Sequence, residues 1–119
     1  MKILIVDDEE LVRKSLARAC RARGFQVLEA SGGVEGQELW EKESPDLVFL
    51  DVLMPDLNGP KVIENLQGRT TSKIVLMSAY TGGYDLNKAK SLGADLFIPK
   101  PFENIFETVQ VAEDLVAGK

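Results

Sequence analysis

The sequence predicts an α/β domain with a parallel sheet, because five strand-like apolar runs alternate strictly with five segments of helical periodicity. Strands joined through helices pair in parallel, and their crossover connections are almost always right-handed. The length of 119 residues and the hydrophobic fraction of 45% are those of one globular domain with its own core. We therefore expect a single domain that spans residues 1–119.

The first half of the chain is predicted to contribute three strands and two helices. Residues 2–6 (KILIV) are rich in β-branched residues and predict a buried strand, and residues 11–23 predict an amphipathic helix. Residues 25–30 alternate only loosely between apolar and polar side chains, which favours a strand near the edge of the sheet. A second helix is predicted at residues 34–43. Residues 46–51 (DLVFLD) are continuously apolar between two aspartates, which indicates a central strand covered on both faces.

The second half of the chain repeats the alternation. Residues 61–67 predict a short helix, and residues 73–78 (KIVLMS) predict the fourth strand. A helix at residues 84–93 is closed by the glycine at its last position. Residues 95–98 predict the fifth strand, and residues 103–118 predict the last helix.

The apolar stripes of three helices predict which residues face the sheet. The expected inner residues are Leu11, Val12, Leu16, Ala19 and Cys20 in the first helix, Val34, Leu39 and Trp40 in the second, and Ile105, Val109, Ala112 and Val116 in the last. Cys20 is the only cysteine, and we expect it to act as a small buried apolar residue, with a reactive thiol as the alternative.

Composition excludes several kinds of protein. The sequence has no histidine, so it has no Ser-His-Asp or Cys-His catalysis and cannot itself donate a phosphoryl group from a phosphohistidine. A single cysteine rules out an internal disulfide and a cysteine-based zinc site. The net charge of −5 disfavours direct binding to nucleic acid. No apolar run spans a bilayer and the first residues do not resemble a signal peptide, so we expect a cytoplasmic protein that does not bind membranes.

Chemically active side chains follow four of the five predicted strands. Asp7 and Asp8 follow the first, Asp51 ends the third, Ser78 ends the fourth and Lys100 follows the fifth. In open parallel sheets, sites form beyond the carboxyl ends of the strands, so these five side chains are expected to gather at one edge. Three carboxylates at close range repel one another, and a bound divalent cation removes that repulsion. Ligands that are all oxygen favour Mg²⁺ over zinc.

Each of these residues also has a simpler interpretation when it is taken alone. Asp8 is suited to capping a helix, Ser78 to bonding within a turn and Lys100 to lying in solvent. Asp51 is harder to explain in this way, because a carboxylate that ends a buried strand needs a partner. The joint pattern at four strand ends is more specific than any one of its parts.

The chain resembles, over essentially its whole length, the receiver domains of two-component response regulators. The matching motifs are LIVDDEE at the first strand end, DLVFLDVLMPDLNG at the third, VLMSAY at the fourth and GADLFIPKPF at the fifth. The resemblance implies a doubly wound, flavodoxin-like (βα)5 fold with strand order 2-1-3-4-5. It also implies a signalling module with no output domain in this chain, which catalyses only its own phosphorylation and dephosphorylation.

The resemblance assigns roles to the residues at the strand ends. Asp51 would be the phosphoacceptor, taking a phosphoryl group from a sensor histidine kinase or a phosphotransfer protein. Asp8 would bind Mg²⁺ (or Mn²⁺) directly, Asp7 through a water and Leu53 through its backbone carbonyl, with Asp51 completing the site. Lys100 would pair with Asp51 and then with the phosphoryl group, and its peptide bond to the following proline is expected to be cis.

The resemblance also implies how phosphorylation would act on partners. Ser78 would donate a hydrogen bond to the phosphoryl group, and Phe97 would swing inward behind it. The surface formed by the fourth helix, the fifth strand and the fifth helix would then change for a downstream protein, an output domain outside this chain or a phosphorylation-dependent dimer. By its own charge, the basic first helix is either a solvated face or a docking surface for an acidic kinase or phosphotransfer domain, and nucleic acid is a poor third choice.

Position 53 bears on two further expectations. Mg²⁺-dependent phosphatases that form an aspartyl phosphate are the alternative class, but they typically carry a second acid two residues after the nucleophile, and Leu53 stands there. Leu53 and Tyr80 lie two positions beyond Asp51 and Ser78, and neither orients an attacking water well. We therefore expect the aspartyl phosphate to last for minutes or longer.

Overall fold

The computed structural model describes residues 1–80 and 82–119 and confirms the predicted fold class. All strands pair in parallel in one sheet, with the order β2-β1-β3-β4-β5. The strands are β1 (Lys2–Val6), β2 (Gln26–Ala30), β3 (Leu47–Asp51), β4 (Lys73–Ser78) and β5 (Leu96–Pro99). As expected, β2 lies at an edge, and the central strand β3 is buried along its whole length.

Helices cover both faces of the sheet. They are α1 (Glu10–Ala22), α2 (Gly33–Glu43), α3 (Gly59–Leu66), α4 (Leu86–Ser91) and α5 (Ile105–Ala117). One core packs α2, α3 and α4 against the sheet around Trp40, Val48 and Leu76. The other packs α1 and α5 around Leu16 and Phe49. Because successive side chains of a strand point to opposite faces, each central strand contributes to both cores.

Most predicted inner residues are buried or half-buried, but the predictions for Leu11 and Val34 are wrong. Leu11 is 80% exposed and Val34 is 48% exposed, and both lie in the first turn of their helices. The inner side of α2 is formed instead by two glycines and a tryptophan, because a Cβ added at Gly36 would lie 2.6 Å from the Val6 side chain. The helix therefore approaches β1 most closely through Gly36, and Val34 lies away from this contact. Cys20 is buried as expected, and burial raises its pKa to about 12.

Several element boundaries also differ from the predicted ones. The helix predicted from residue 61 begins at Gly59, because Asn58 caps it through a hydrogen bond from the Lys61 N–H and a proline occupies its first turn. The helix predicted at residues 84–93 is shorter, since Asp85 caps it at Leu86. The loop predicted at residues 79–83 includes residue 81, which lies outside the described residues. Among the residues that the structure describes, no helix has both the length and the apolar character needed to cross a bilayer.

Candidate functional site

Three carboxylates lie together at the carboxyl edge of the sheet, as the strand-end pattern predicts. Asp7 and Asp8 directly follow β1, and Asp51 is the last residue of the neighbouring β3. One carboxylate oxygen from each lies within 4.8 Å of the others. Asp7 is fully buried and Asp51 is 4% exposed, whereas Asp8 faces solvent. The group is therefore open to solvent on one side only.

Lys100 reaches this group from the far side of β4. It follows β5, and its backbone N–H donates to the Ser78 carbonyl at 2.9 Å. Its Nζ lies 3.0 Å from Asp7 Oδ2 and 3.2 Å from Asp51 Oδ1. Since β4 separates β5 from β3, only a long side chain spans the two strand spacings of about 5 Å each. The peptide bond between Lys100 and Pro101 is cis, as expected.

The backbone around Asp7 is held from three directions. The Asp7 N–H donates to the Ala30 carbonyl of β2 at 3.1 Å, and the Asp7 carbonyl accepts from Arg13 Nη1 at 2.9 Å. The Asp7 carboxylate also accepts from the Glu9 N–H at 2.9 Å. Asp8 does not cap α1, because Glu9 occupies the N-cap position and makes no side-chain capping bond.

Burial and like charge control the ionisation of Asp51. Desolvation, together with the charge of Asp7, raises the pKa of Asp51 to about 7, although Lys100 opposes the rise. For Lys100, burial disfavours the charged form, but hydrogen bonds to Glu9 and Asp7 and the charge of Asp51 outweigh it, so its pKa lies above the ordinary value. A further positive charge at the site would favour the ionised form of Asp51 and lower its pKa.

The donor atoms of this group suit a hard divalent cation. All are carboxylate oxygens, and Mg²⁺ binds through one or two carboxylates while it keeps several waters. Asp8, the exposed member, offers the side open to water. Within residues 1–80 and 82–119, no protein donor bonds to the Leu53 carbonyl, which leaves that oxygen available as the expected further ligand.

The loop after β3 is fixed by contacts at both of its ends. The Val52 N–H donates to the Met77 carbonyl, and the Gly59 N–H donates to the Val52 carbonyl, both at 2.9 Å. A Cβ added at Gly59 would lie 2.4 Å from the Asp51 carbonyl oxygen, so only glycine fits at this close approach. Midway along the loop, Asp56 accepts hydrogen bonds from two N–H groups at the start of α2, both at 3.0 Å. These bonds hold the pKa of Asp56 below its ordinary value.

The remaining predicted site residues lie in the loop after β3, at the end of β4 and on β5. Ser78 is buried, and its Oγ accepts from the Tyr80 N–H at 3.0 Å, the turn contact that a lone serine would make. Leu53 and Tyr80 are 60% and 58% exposed. Phe97, on β5, is half-buried and stacks with Tyr84, with ring centroids 6.4 Å apart.

Comparison with known proteins identifies the family. The sequence model described as the response regulator receiver domain matches residues 3–110. The chain belongs to this family. It is 35% identical over 100 residues to the transcriptional regulatory protein KdpE of Mycobacterium tuberculosis, a match that covers 84% of this chain and 44% of the relative. It is 38% identical over 101 residues to the probable transcriptional regulator ycf27 of Porphyra purpurea, covering 85% of this chain and 42% of the relative.

Solved receiver structures share the whole architecture. A CheY-like response regulator receiver domain protein from Methanospirillum hungatei superposes with a TM-score of 0.89 at 25% identity, covering 98% of this chain and 94% of the other. The receiver domain of the putative response regulator NarL from Mycobacterium tuberculosis gives 0.86 at 27% identity, covering 99% and 97%. The chain spans less than half the length of the two curated relatives. The (βα)5 flavodoxin-like fold and the strand order 2-1-3-4-5 are therefore confirmed.

One residue of this receiver's site was not predicted from the sequence. Glu9 Oε1 lies 2.8 Å from Lys100 Nζ, the shortest of the three carboxylate contacts that this ammonium makes. Of the four acids that follow β1, only Asp7 and Asp8 were predicted to belong to the site. Charge balance could have indicated Glu9. Lys100 is the only cation among the predicted site residues, and four acids follow β1, so a further acid was a candidate partner for Lys100.

Proposed function

We propose that this receiver is a phosphoacceptor, in which Asp51 takes a phosphoryl group from a histidine kinase or a phosphotransfer protein. The observation that carries the proposal is the position of Asp51, which lies 3.2 Å from the Lys100 ammonium and within 4.8 Å of two further carboxylates. A buried nucleophile beside a fixed cation and a cation-binding group is what phosphoryl transfer requires, since the reaction depends mainly on positioning and charge neutralisation.

In the proposed step, an Asp51 carboxylate oxygen forms a bond to phosphorus while the phosphorus–nitrogen bond of the donor phosphohistidine breaks. The electron pair of that bond returns to the donor imidazole, which takes up a proton. Lys100 donates a hydrogen bond to one phosphoryl oxygen, and the Ser78 hydroxyl donates to another. Mg²⁺, held by Asp8, Asp51, the Leu53 carbonyl and, through water, Asp7, would neutralise phosphoryl charge when bound.

The same proposal covers the output. If Ser78 moved toward the phosphoryl group, its hydroxyl would give up the hydrogen bond from the Tyr80 N–H. Phe97 would then repack behind Ser78. The surface of α4, β5 and α5 would carry this change to a downstream protein, an output domain outside this chain or a second phosphorylated copy. We expect no direct contact between this domain and nucleic acid. We also predict a cytoplasmic location.

The test is phosphorylation by acetyl phosphate with Mg²⁺, followed by intact-protein mass spectrometry. We expect the mass of one phosphoryl group to be added to the wild type and not to Asp51→Asn. The matched control is Asp56→Asn, an exposed carboxylate in the same loop, which should still be modified. Modification of Asp51→Asn to the wild-type extent would refute the proposal.

No observation favours the alternative, a phosphatase that hydrolyses the phosphate esters of other molecules. The residue two positions after Asp51 is Leu53, whose side chain offers no general acid or base and is 60% exposed. Repeated hydrolysis of added phosphate esters in the presence of Mg²⁺ would instead support the enzyme.

A further inference from the structure

The ammonium of Lys100 contacts three carboxylates in this receiver. Its hydrogen bonds go to Asp7 Oδ2 at 3.0 Å and Glu9 Oε1 at 2.8 Å, and its ion pair with Asp51 Oδ1 is 3.2 Å long. A lysine ammonium has three protons to donate. An arriving phosphoryl oxygen must therefore compete for Lys100 with the carboxylates that already contact it.

Exposure indicates which carboxylate is released. The side chain of Asp7 is fully buried and that of Asp51 is 5% exposed, so water cannot replace Lys100 at either. The Glu9 side chain is 56% exposed, and water can take over its hydrogen bond at low cost. Glu9 is therefore the partner that the phosphoryl group displaces.

The position of Glu9 explains why its side chain reaches Lys100. Its backbone N–H is held by the Asp7 carboxylate, and the residue stands at the N-cap of α1 without a side-chain capping bond. The side chain is thus not used to complete the helix. It adds a negative charge at the exposed side of the site, where a dianionic donor must approach, and like charges there raise the energy of that approach.

We propose that Glu9 restrains Lys100 and slows phosphorylation of Asp51, an inference that rests on the function proposed above. Glu9 acts as a positioning residue, because it contacts Lys100 and neither forms nor breaks a bond in the transfer. Once Asp51 is phosphorylated, Lys100 has already left Glu9. Removal of the Glu9 carboxylate therefore speeds phosphorylation and leaves dephosphorylation nearly unchanged.

The experiment compares wild type, Glu9→Gln and Glu10→Gln, with acetyl phosphate as the donor and Mg²⁺ saturating for each protein. Glu10 is the matched control, since it is the adjacent exposed carboxylate and contacts no cation among the described residues. The rate constant of phosphorylation is expected to rise about 2- to 5-fold in Glu9→Gln, the range that an exposed ion pair supports. The Glu10→Gln rate should stay within about 1.5-fold of wild type, since it removes charge without removing a contact.

The dephosphorylation rate of the same proteins separates positioning from a loosened structure. It should change less than about 2-fold in Glu9→Gln, since the contact is absent in the phosphorylated state. Equal acceleration of both reactions would overturn the proposal, as would a Glu9→Gln phosphorylation rate no higher than those of wild type and Glu10→Gln. A wild type that takes up no phosphate at Asp51 would refute the proposed function instead.

Discussion

At the scale of the residue, Asp51 combines burial with a neighbourhood that is largely negative. It is 4% exposed, and the carboxylates of Asp7 and Asp8 lie beside it, with Lys100 as the opposing charge. Lys100 also neutralises Asp7 and Glu9, so one ammonium serves more carboxylates than it can balance. A bound cation would relieve this excess and stabilise the folded protein by linkage.

This excess predicts a stabilising effect of Mg²⁺ that depends on Asp51. At about ten times its dissociation constant, Mg²⁺ should raise the free energy of unfolding of the wild type by about 1.4 kcal/mol. The increase should be lost in Asp51→Asn, which removes a carboxylate proposed as a ligand, and kept in Asp46→Asn, whose carboxylate bonds to Lys2 at the opposite end of β3. Urea unfolding with and without Mg²⁺ measures both, and an equal increase in Asp51→Asn would contradict the assigned site.

Leu53 predicts how long the aspartyl phosphate lasts. The Leu53 side chain is exposed and cannot hydrogen-bond to water. The other residue two positions beyond a site residue is Tyr80, and its hydroxyl lies beside Gly82, 3.1 Å from the position that a Cβ added there would take. We expect a lifetime of minutes or longer, shortened roughly fivefold in Leu53→Asn, because one net hydrogen bond to the attacking water is worth about 1 kcal/mol. Release of phosphate after removal of the donor measures the lifetime.

The control for Leu53→Asn is Leu86→Asn, which makes the same change at an exposed leucine of α4. It should leave the lifetime unchanged. Loss of the wild-type phosphate within seconds would contradict the expectation.

The sequence predicted the position of a residue correctly where the backbone alone determines that position. Asp7, Asp51, Ser78 and Lys100 lie at strand ends, and parallel strands bring those ends to one edge whatever the side chains do. Glu9 could not be placed in this way, because its backbone belongs to the start of α1 while its side chain turns to Lys100. Side-chain direction in a first turn depends on tertiary partners that a sequence pattern does not specify.

At the scale of the element, the edge strand β2 is joined to α1 through Glu29. Its carboxylate lies 3.3 Å from Arg13 Nε, 3.2 Å from Lys14 Nζ and 3.3 Å from Arg21 Nη2, and its side chain is only 14% exposed. Burial opposes its ionisation, but hydrogen bonds and charges of Lys14 and Arg21 outweigh it and lower its pKa below 4.5. Arg13 also donates to the Asp7 carbonyl, so this contact reaches the site.

The lowered pKa of Glu29 predicts a stability loss that depends on pH. At pH 7 the ionised carboxylate stabilises the fold, so Glu29→Gln should cost about 1 kcal/mol. The stabilisation is complete above the unfolded pKa of about 4.5 and is lost as the pH falls through the lowered folded pKa, so the two proteins should converge in acid. Urea unfolding at several pH values measures this difference. Glu38→Gln on α2, an exposed carboxylate, is the control, and a loss that persists in acid would contradict an ionic cause.

Element boundaries were predicted less well than element types, for local reasons. The strong period of α1 and the unbroken apolar run of β3 identify a helix and a buried strand. The start of α3 was placed two residues late, although Asn58 followed by Gly59 and Pro60 is a recognisable helix start. In α2 the inner face is glycine-rich, and hydrophobic periodicity gives no weight to a residue without a side chain.

At the scale of the whole molecule, the fold follows from alternation and its connection rules. Five strands alternating with five helices leave few arrangements with right-handed crossovers, yet the order 2-1-3-4-5 came from the family resemblance and not from periodicity. The order matters for the site, since it places β1 beside β3 and puts β4 between the acids and Lys100. An order without β1 beside β3 would separate Asp7 from Asp51.

The short strand β5 places two constraints on the same few residues. Its four residues include Phe97, which packs against Tyr84, and lead directly into Lys100, which contacts the acids. Under the proposed function, the phosphate would be sensed and its effect transmitted through one run of backbone. A substitution that moves the backbone of this run would therefore disturb both the proposed phosphate contact and its proposed transmission.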